Sequence, residues 1–160
     1  MWQRIQTVFL ALAILSLIGS ILMPIMIGVA SDGHAYALYP LHMMQKQMTA
    51  SGEVKIHTYF PYSLTALFVV AAITVAITEI RKFNNRMLQM KLGMLNSLLI
   101  LAAMISAVAF LVMLEKAHDF VSIQNDFGLY LIFAALVFNW VALRFIKKDE
   151  KLVRDSDRLR

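Results

Sequence analysis

LGMLNSLLILAAMISAVAFLVML, residues 92–114, is the stretch whose reading decides the fold. It runs for 23 residues without a charged side chain. About 20 such residues, wound as a helix, cross the ~30 Å of hydrocarbon in a bilayer. Lipid offers no partner for the backbone N–H and C=O groups of an open strand or loop, so a helix is the conformation that satisfies them. Working outward, the same pattern appears at 62–80 and at 8–29, the latter interrupted by Pro24, and again at 127–146. The predicted fold is an all-α integral membrane protein: one domain over 1–160, a bundle of four transmembrane helices, and a tail at 147–160.

Composition agrees. The chain is 60% hydrophobic with a mean hydropathy of +0.69, where soluble domains run about 45–50% apolar. Charged residues make up 16% and cluster in short stretches between the apolar runs. Cysteine is absent, which excludes disulfides, thiol redox chemistry, thiolate metal sites and covalent haem attachment. The eleven methionines read as helix packing. The first run is too long for the apolar region of a cleaved signal peptide and is expected to be a retained helix.

Orientation follows from Lys and Arg in the connections. Arg4, then Arg81, Lys82, Arg86 and Lys91, then Arg144, Lys147, Lys148, Lys151, Arg154, Arg158 and Arg160 fall on one side. Only Lys46, Lys55 and Lys116 fall on the other. Twelve against three predicts cytoplasmic termini and outer loops at about 30–58 and 115–126. The net charge of +5 is then a topology signal and not a nucleic-acid footprint. Trp2, Tyr59, Phe60, Tyr62, Phe127 and Tyr130 stand at the predicted interfaces as aromatic anchors.

In the longer outer loop, AYALYPL (35–41) and EVKIHTY (53–59) are strand-like, with TASG (49–52) between them as a turn. A small extracytoplasmic β-hairpin is expected there. The intervening HMMQKQM (42–48) reads instead as a candidate short amphipathic helix.

Four polar side chains fall inside the predicted inner leaflet: Glu79, Asn96, Asn139 and Arg144. By depth they can meet. An ionisable group inside the membrane points to function by default. Glu79, however, is close to the surface and beside Arg81 and Lys82, so an ion pair that fixes helix register is the leading expectation, ahead of ion or proton handling. Helix association itself is assigned to small residues, Ser16, Gly19 and Ser20, Ala72 and Ala76, Ala102, Ala103, Ser106 and Ala107, and Ala134 and Ala135, because apolar surface alone cannot drive it in lipid.

All four histidines, His34, His42, His57 and His118, are predicted outside, near Asp32, Glu53, Asp119 and Asp126. They lack tight ligand spacing, and no metal is expected. No phosphate loop, nucleophile elbow or haem-type histidine pair occurs. The expectation is no cofactor, no nucleic acid and no small-molecule substrate.

The tail mixes Asp149, Glu150, Asp155 and Asp157 with Lys151, Arg154 and Arg158, around Leu152, Val153 and Leu159. A lipid-binding tail is nearly all basic, whereas mixed charge suits pairing with protein. The tail is expected to be helical at its start and docked at the cytoplasmic face, on Arg4, Gln6, Arg81, Lys82 or Arg86, or on a separate protein.

The opening QRIQT (Gln3–Thr7) and the close, with Asp149, Glu150, Leu152, Val153, Arg154, Asp157, Arg158, Leu159 and Arg160, resemble a family of small four-helix membrane proteins of the Bacteroidetes, classed only as a domain of unknown function. The resemblance covers the whole chain. It implies a bacterial inner-membrane location and supplies no activity, substrate or cofactor. The leading expectation of function is a non-enzymatic accessory or scaffold protein within a larger membrane complex or a homo-oligomer, surrounded by membrane lipids. The alternatives are a small transporter or ion-handling protein, and a membrane enzyme using the outer His/Asp set.

Overall fold

A computed structural model describes the backbone of residues 3–31, 33–49, 52–82 and 85–158, and the side chains within it except those of 3, 4, 48, 49, 52, 53 and 153–158. Four helices, α1 (Gln3–Leu22), α2 (Ser63–Arg81), α3 (Arg86–Ala117) and α4 (Phe127–Arg158), are long and apolar enough to cross a membrane. Only 28–33% of each span is buried inside the protein although mean hydropathy along it is 2.0–2.7. Leu15, Leu67, Leu98 and Ile105 are all more than 60% exposed. Water would not tolerate that surface, and lipid does. The chain is a multi-pass membrane protein.

α1 packs chiefly on α4, and α3 lies between α2 and α4. The seams are lined by small side chains: Ala13, Ala72, Ala76, Ala103, Ala107, Ala135 and Ala142 are completely buried. This lets the helix backbones approach closely. At the sheet-side start of α2 the Thr65 hydroxyl lies 3.0 Å from the Ser106 hydroxyl of α3.

Where a single hairpin is predicted, the chain forms a five-stranded antiparallel sheet. Its strands are β1 (Met26–Ala30), β2 (Ala35–Leu38), β3 (Met43–Thr49), β4 (Gly52–Thr58) and β5 (Phe120–Asn125), in the order β4-β3-β2-β1-β5. The two segments expected to form the hairpin are β2 and β4, but they do not pair with each other, because β3 lies between them, with Thr49 opposite Gly52; residues 50 and 51 of the predicted turn lie outside the described residues. HMMQKQM is strand and not helix, because it pairs on both sides, Lys46 with Ala35 and with Lys55.

Two further strands escape the sequence reading. β1 lies in what reads as the end of the first span, which closes at Leu22 and not at 29. Pro24 brings no N–H and pushes the preceding residue out of the α region, so the helix stops where a bend was expected. The freed segment turns into a strand whose Gly28 pairs with Ile123 of β5, in the connection between α3 and α4.

The sheet covers one end of the bundle. Met26, Tyr36 and Leu38 are buried in one cluster with Leu17 of α1, Tyr62 before α2, Leu114 of α3 and Ile132 of α4. Backbone bonds seal the corners: Ala66 N–H to Pro40 O (3.0 Å), Asp126 N–H to Ile25 O (3.0 Å) and Gly128 N–H to Pro24 O (2.9 Å). They occupy donors that the starts of α2 and α4 would otherwise leave unpaired.

Candidate functional site

At the end of the bundle opposite the sheet, the apolar seams give way to a buried polar layer. Glu79 of α2, Asn96 of α3 and Asn139 of α4 are all 0% exposed, and Gln89 is 5% exposed. Gly93 is the point they share. A Cβ at Gly93 would lie 2.8 Å from Glu79 Oε1 and 2.5 Å from Leu143 Cδ2, so glycine is what allows α2 and α4 to close onto α3 here.

The amide network has one consistent orientation. Asn139 Nδ2 donates to the Gly93 carbonyl (3.0 Å) and to Ser97 Oγ (2.8 Å). With both N–H groups directed there, Asn139 presents Oδ1 to Asn96, whose Nδ2 donates to it at 2.9 Å. Ser97 Oγ donates in turn to the Gly93 carbonyl (3.0 Å). Asn96 Oδ1 then points away and has no hydrogen-bond partner. Gln89 Nε2 donates to the Glu79 backbone carbonyl (3.1 Å), one of the carbonyls that the end of α2 leaves open. The Glu79 carboxylate itself has no hydrogen-bond partner at either oxygen among the described residues.

The residues predicted to gather here do so in part. Glu79, Asn96 and Asn139 meet around Gly93. Arg144 does not join them: it is exposed, with its guanidinium 3.9 Å from the centroid of the Trp140 ring. One residue after Leu143 along α4, it lies about 100° around the helix from the face that meets Gly93, where a cation–π contact holds it. Arg81 and Lys82 are exposed as well. The expected ion pair for Glu79 is absent among the described residues. Sequence reasoning does not pick out Ser97, Gln89 or Gly93, whose roles arise only where the helices meet.

Beyond this layer α4 continues as a helix to Arg158. Arg86, at the start of α3, donates from Nη1 to the Asp149 carbonyl (3.0 Å) and pairs with Asp149 Oδ2 (3.2 Å). Glu150 is half-buried and Gln6 is buried. The side chains of Arg4, Arg154, Asp157 and Arg158 lie outside the described residues.

At the sheet end, the His42 ring stacks on Tyr39 (5.0 Å) and adjoins His57 (4.9 Å) and Tyr59 (5.5 Å). Burial, and then the neighbouring His57, hold the His42 pKa below its ordinary value of 6.5. A histidine with a lowered folded-state pKa contributes stability that is complete above the ordinary value and is lost as pH falls through the lowered one. Protection of β3–β4 amides from hydrogen exchange is therefore expected to drop between pH 7.5 and pH 5. In His42→Phe, which keeps a stacking ring and removes the proton site, the drop should shrink; an unchanged drop refutes the assignment. Among the described residues, no three His, Asp or Glu side chains converge in a way that could hold a metal ion.

A family model described as "Domain of unknown function (DUF4293)" matches residues 2–159. A comparison with curated proteins finds no match.

Proposed function

We propose, from the premise that this chain belongs to the DUF4293 family, that the molecule is a non-enzymatic accessory or scaffold protein of a bacterial inner membrane. Its termini face the cytoplasm and its sheet lies outside. It acts through its cytoplasmic face, as a subunit or assembly factor of a larger complex. The family description carries no activity, so the reading rests on this chain. The count of twelve basic residues against three supports the orientation. The resemblance to Bacteroidetes membrane proteins supports the location.

One observation carries the functional reading. α4 does not end where its apolar run ends; it projects as a helix of mixed charge and is tied to α3 through Arg86 and Asp149. The Arg86–Asp149 pair is partly buried, its side chains 25% and 17% exposed, and a single surface-proximal ion pair contributes on the order of 1 kcal/mol. The tie thus orients the projection more than it stabilises the bundle. A held, charged helix is suited to pairing with another protein.

The test is deletion of residues 149–160, with a reporter fused to the full-length C-terminus to read its side of the membrane. The reporter is expected to be active only in its cytoplasm-sensing form. The truncated protein is expected to insert and accumulate while losing co-purifying proteins. A truncation that keeps every partner refutes the reading. An ion-handling role, the second reading, is favoured by the unpartnered Glu79.

A further inference from the structure

A carboxylate buried in the low-dielectric interior of a membrane bundle needs a compensating charge or donors. The Glu79 carboxylate has neither among the described residues. The charged groups on the elements around it are turned elsewhere. Arg81 and Lys82 of α2 are exposed, as is Lys91 of α3. Arg86 of α3 is engaged by Asp149. On α4, Arg144 lies on Trp140, and Lys147 and Lys148 are exposed. Beyond Arg4, α1 carries no ionisable side chain.

A second, independent feature lies one turn along. Asn96 Oδ1 is also buried and also without a partner. Its orientation is dictated by Asn139, whose two N–H groups are already directed to Gly93 and Ser97. Gly93 and Asn96, three residues apart, share a face of α3, and Glu79 Oε1 closes on Gly93. Three oxygen acceptors, Glu79 Oε1 and Oε2 and Asn96 Oδ1, thus stand on one interface with no donor aimed at them among the described residues. An excess of buried acceptors is the inverse of an anion site. It is satisfied by something that is positive, small and able to enter a packed helix seam.

We infer that the α2–α3–α4 interface around Gly93 binds one small monovalent cation, a proton or a sodium ion, between the Glu79 carboxylate and Asn96 Oδ1. A proton on Glu79 lets the acid hydroxyl donate to Asn96 Oδ1. Sodium takes the same oxygens as hard ligands. Either neutralises the carboxylate where it is buried. Larger cations do not suit a seam in which even a methyl group on Gly93 would meet Glu79 Oε1 at 2.8 Å. The site does not depend on the scaffold reading, since the tail deletion leaves all of its residues in place.

The experiment is thermal unfolding of the full chain in lipid nanodiscs, wild type against Glu79→Gln. It is run from pH 5 to pH 9 without sodium, and then at fixed pH with sodium or potassium chloride at equal ionic strength. A ligand that binds only the folded state raises Tm by mass action, about 3–6 °C for each tenfold rise above Kd in a chain of this size. The glutamine amide is uncharged and can donate to Asn96 Oδ1, so Glu79→Gln should fold and be insensitive to the bound species. Wild-type Tm rising with acid but not with sodium identifies the proton. A rise with sodium and not with potassium identifies the sodium ion. Either response must be flattened in Glu79→Gln. If wild type and Glu79→Gln respond alike to both pH and sodium, the inference is overturned. Glu79→Asp, which keeps the charge on a shorter stem, should retain the response at weakened affinity; full loss in Glu79→Gln with no response in Glu79→Asp would show that the reach of the Glu79 carboxylate, and not charge alone, makes the site.

Discussion

Replacing Gly128 by valine is expected to destabilise the protein by about 3 kcal/mol, near the upper end for overpacked sites. A Cβ at Gly128 would fall 2.6 Å from the Pro24 carbonyl oxygen and 2.7 Å from that of Met23. These are backbone atoms, which cannot rotate aside as the tip of a side chain can. Relief requires the start of α4 to part from the α1–β1 corner. That movement would break the bond from Gly128 N–H to Pro24 O and disturb the neighbouring pairing of β1 with β5. Gly19→Ala is the control: the new methyl would lie 3.2 Å from Leu131 Cδ1 alone, a flexible neighbour, and should cost less than about 1 kcal/mol. The check is the Tm and cellular level of both variants. Equal tolerance of the two would show that the corner is not the fixed point proposed.

The second large effect is expected at Asn139. Asn139→Ala removes three hydrogen bonds at once, to Gly93, Ser97 and Asn96. Single interhelical bonds in membranes average about 0.6 kcal/mol and reach about 1.7, so a loss of about 2 kcal/mol is expected. Asn96→Ala should cost about half as much. It removes a single bond to Asn139 and, with it, the unpartnered Oδ1. A double-mutant cycle between the two positions should return a coupling of about 0.5–1 kcal/mol. A costlier Asn96→Ala would mean that the acceptor excess around Glu79 is already compensated in the resting protein through Asn96.

The candidate site was only half legible in the residues. Glu79, Asn96 and Asn139 stood out because polar groups are expensive inside apolar runs, and depth alone placed them at one level. Arg144 stood out by the same rule and belongs elsewhere. Depth along a helix can be counted in the sequence, but the angle around it is set by packing. Arg144 points toward Trp140, one turn back on its own helix, and away from α3. Gly93 gave no sign of its role, since the demand for a missing Cβ arises only once Glu79 and Leu143 press against it.

The amino-acid sequence by itself determined that four helices cross a membrane, because the cost of unpaired backbone in lipid leaves long apolar runs no other conformation. It also marked the β2 and β4 segments as strands and the turn before Gly52, but not that the intervening β3 pairs with both. What the tertiary structure alone decided is the rest of the sheet and the polar layer. β1 is apolar enough to pass for the end of a span, and β5 is a short run in a connection of its own. β1 pairs locally with β2 and, across some ninety residues, with the edge strand β5, from Gly28 to Ile123. Backbone hydrogen bonding carries no side-chain signature over that separation, and a strand at the mouth of a bundle exists only once the helices have brought its partner within reach.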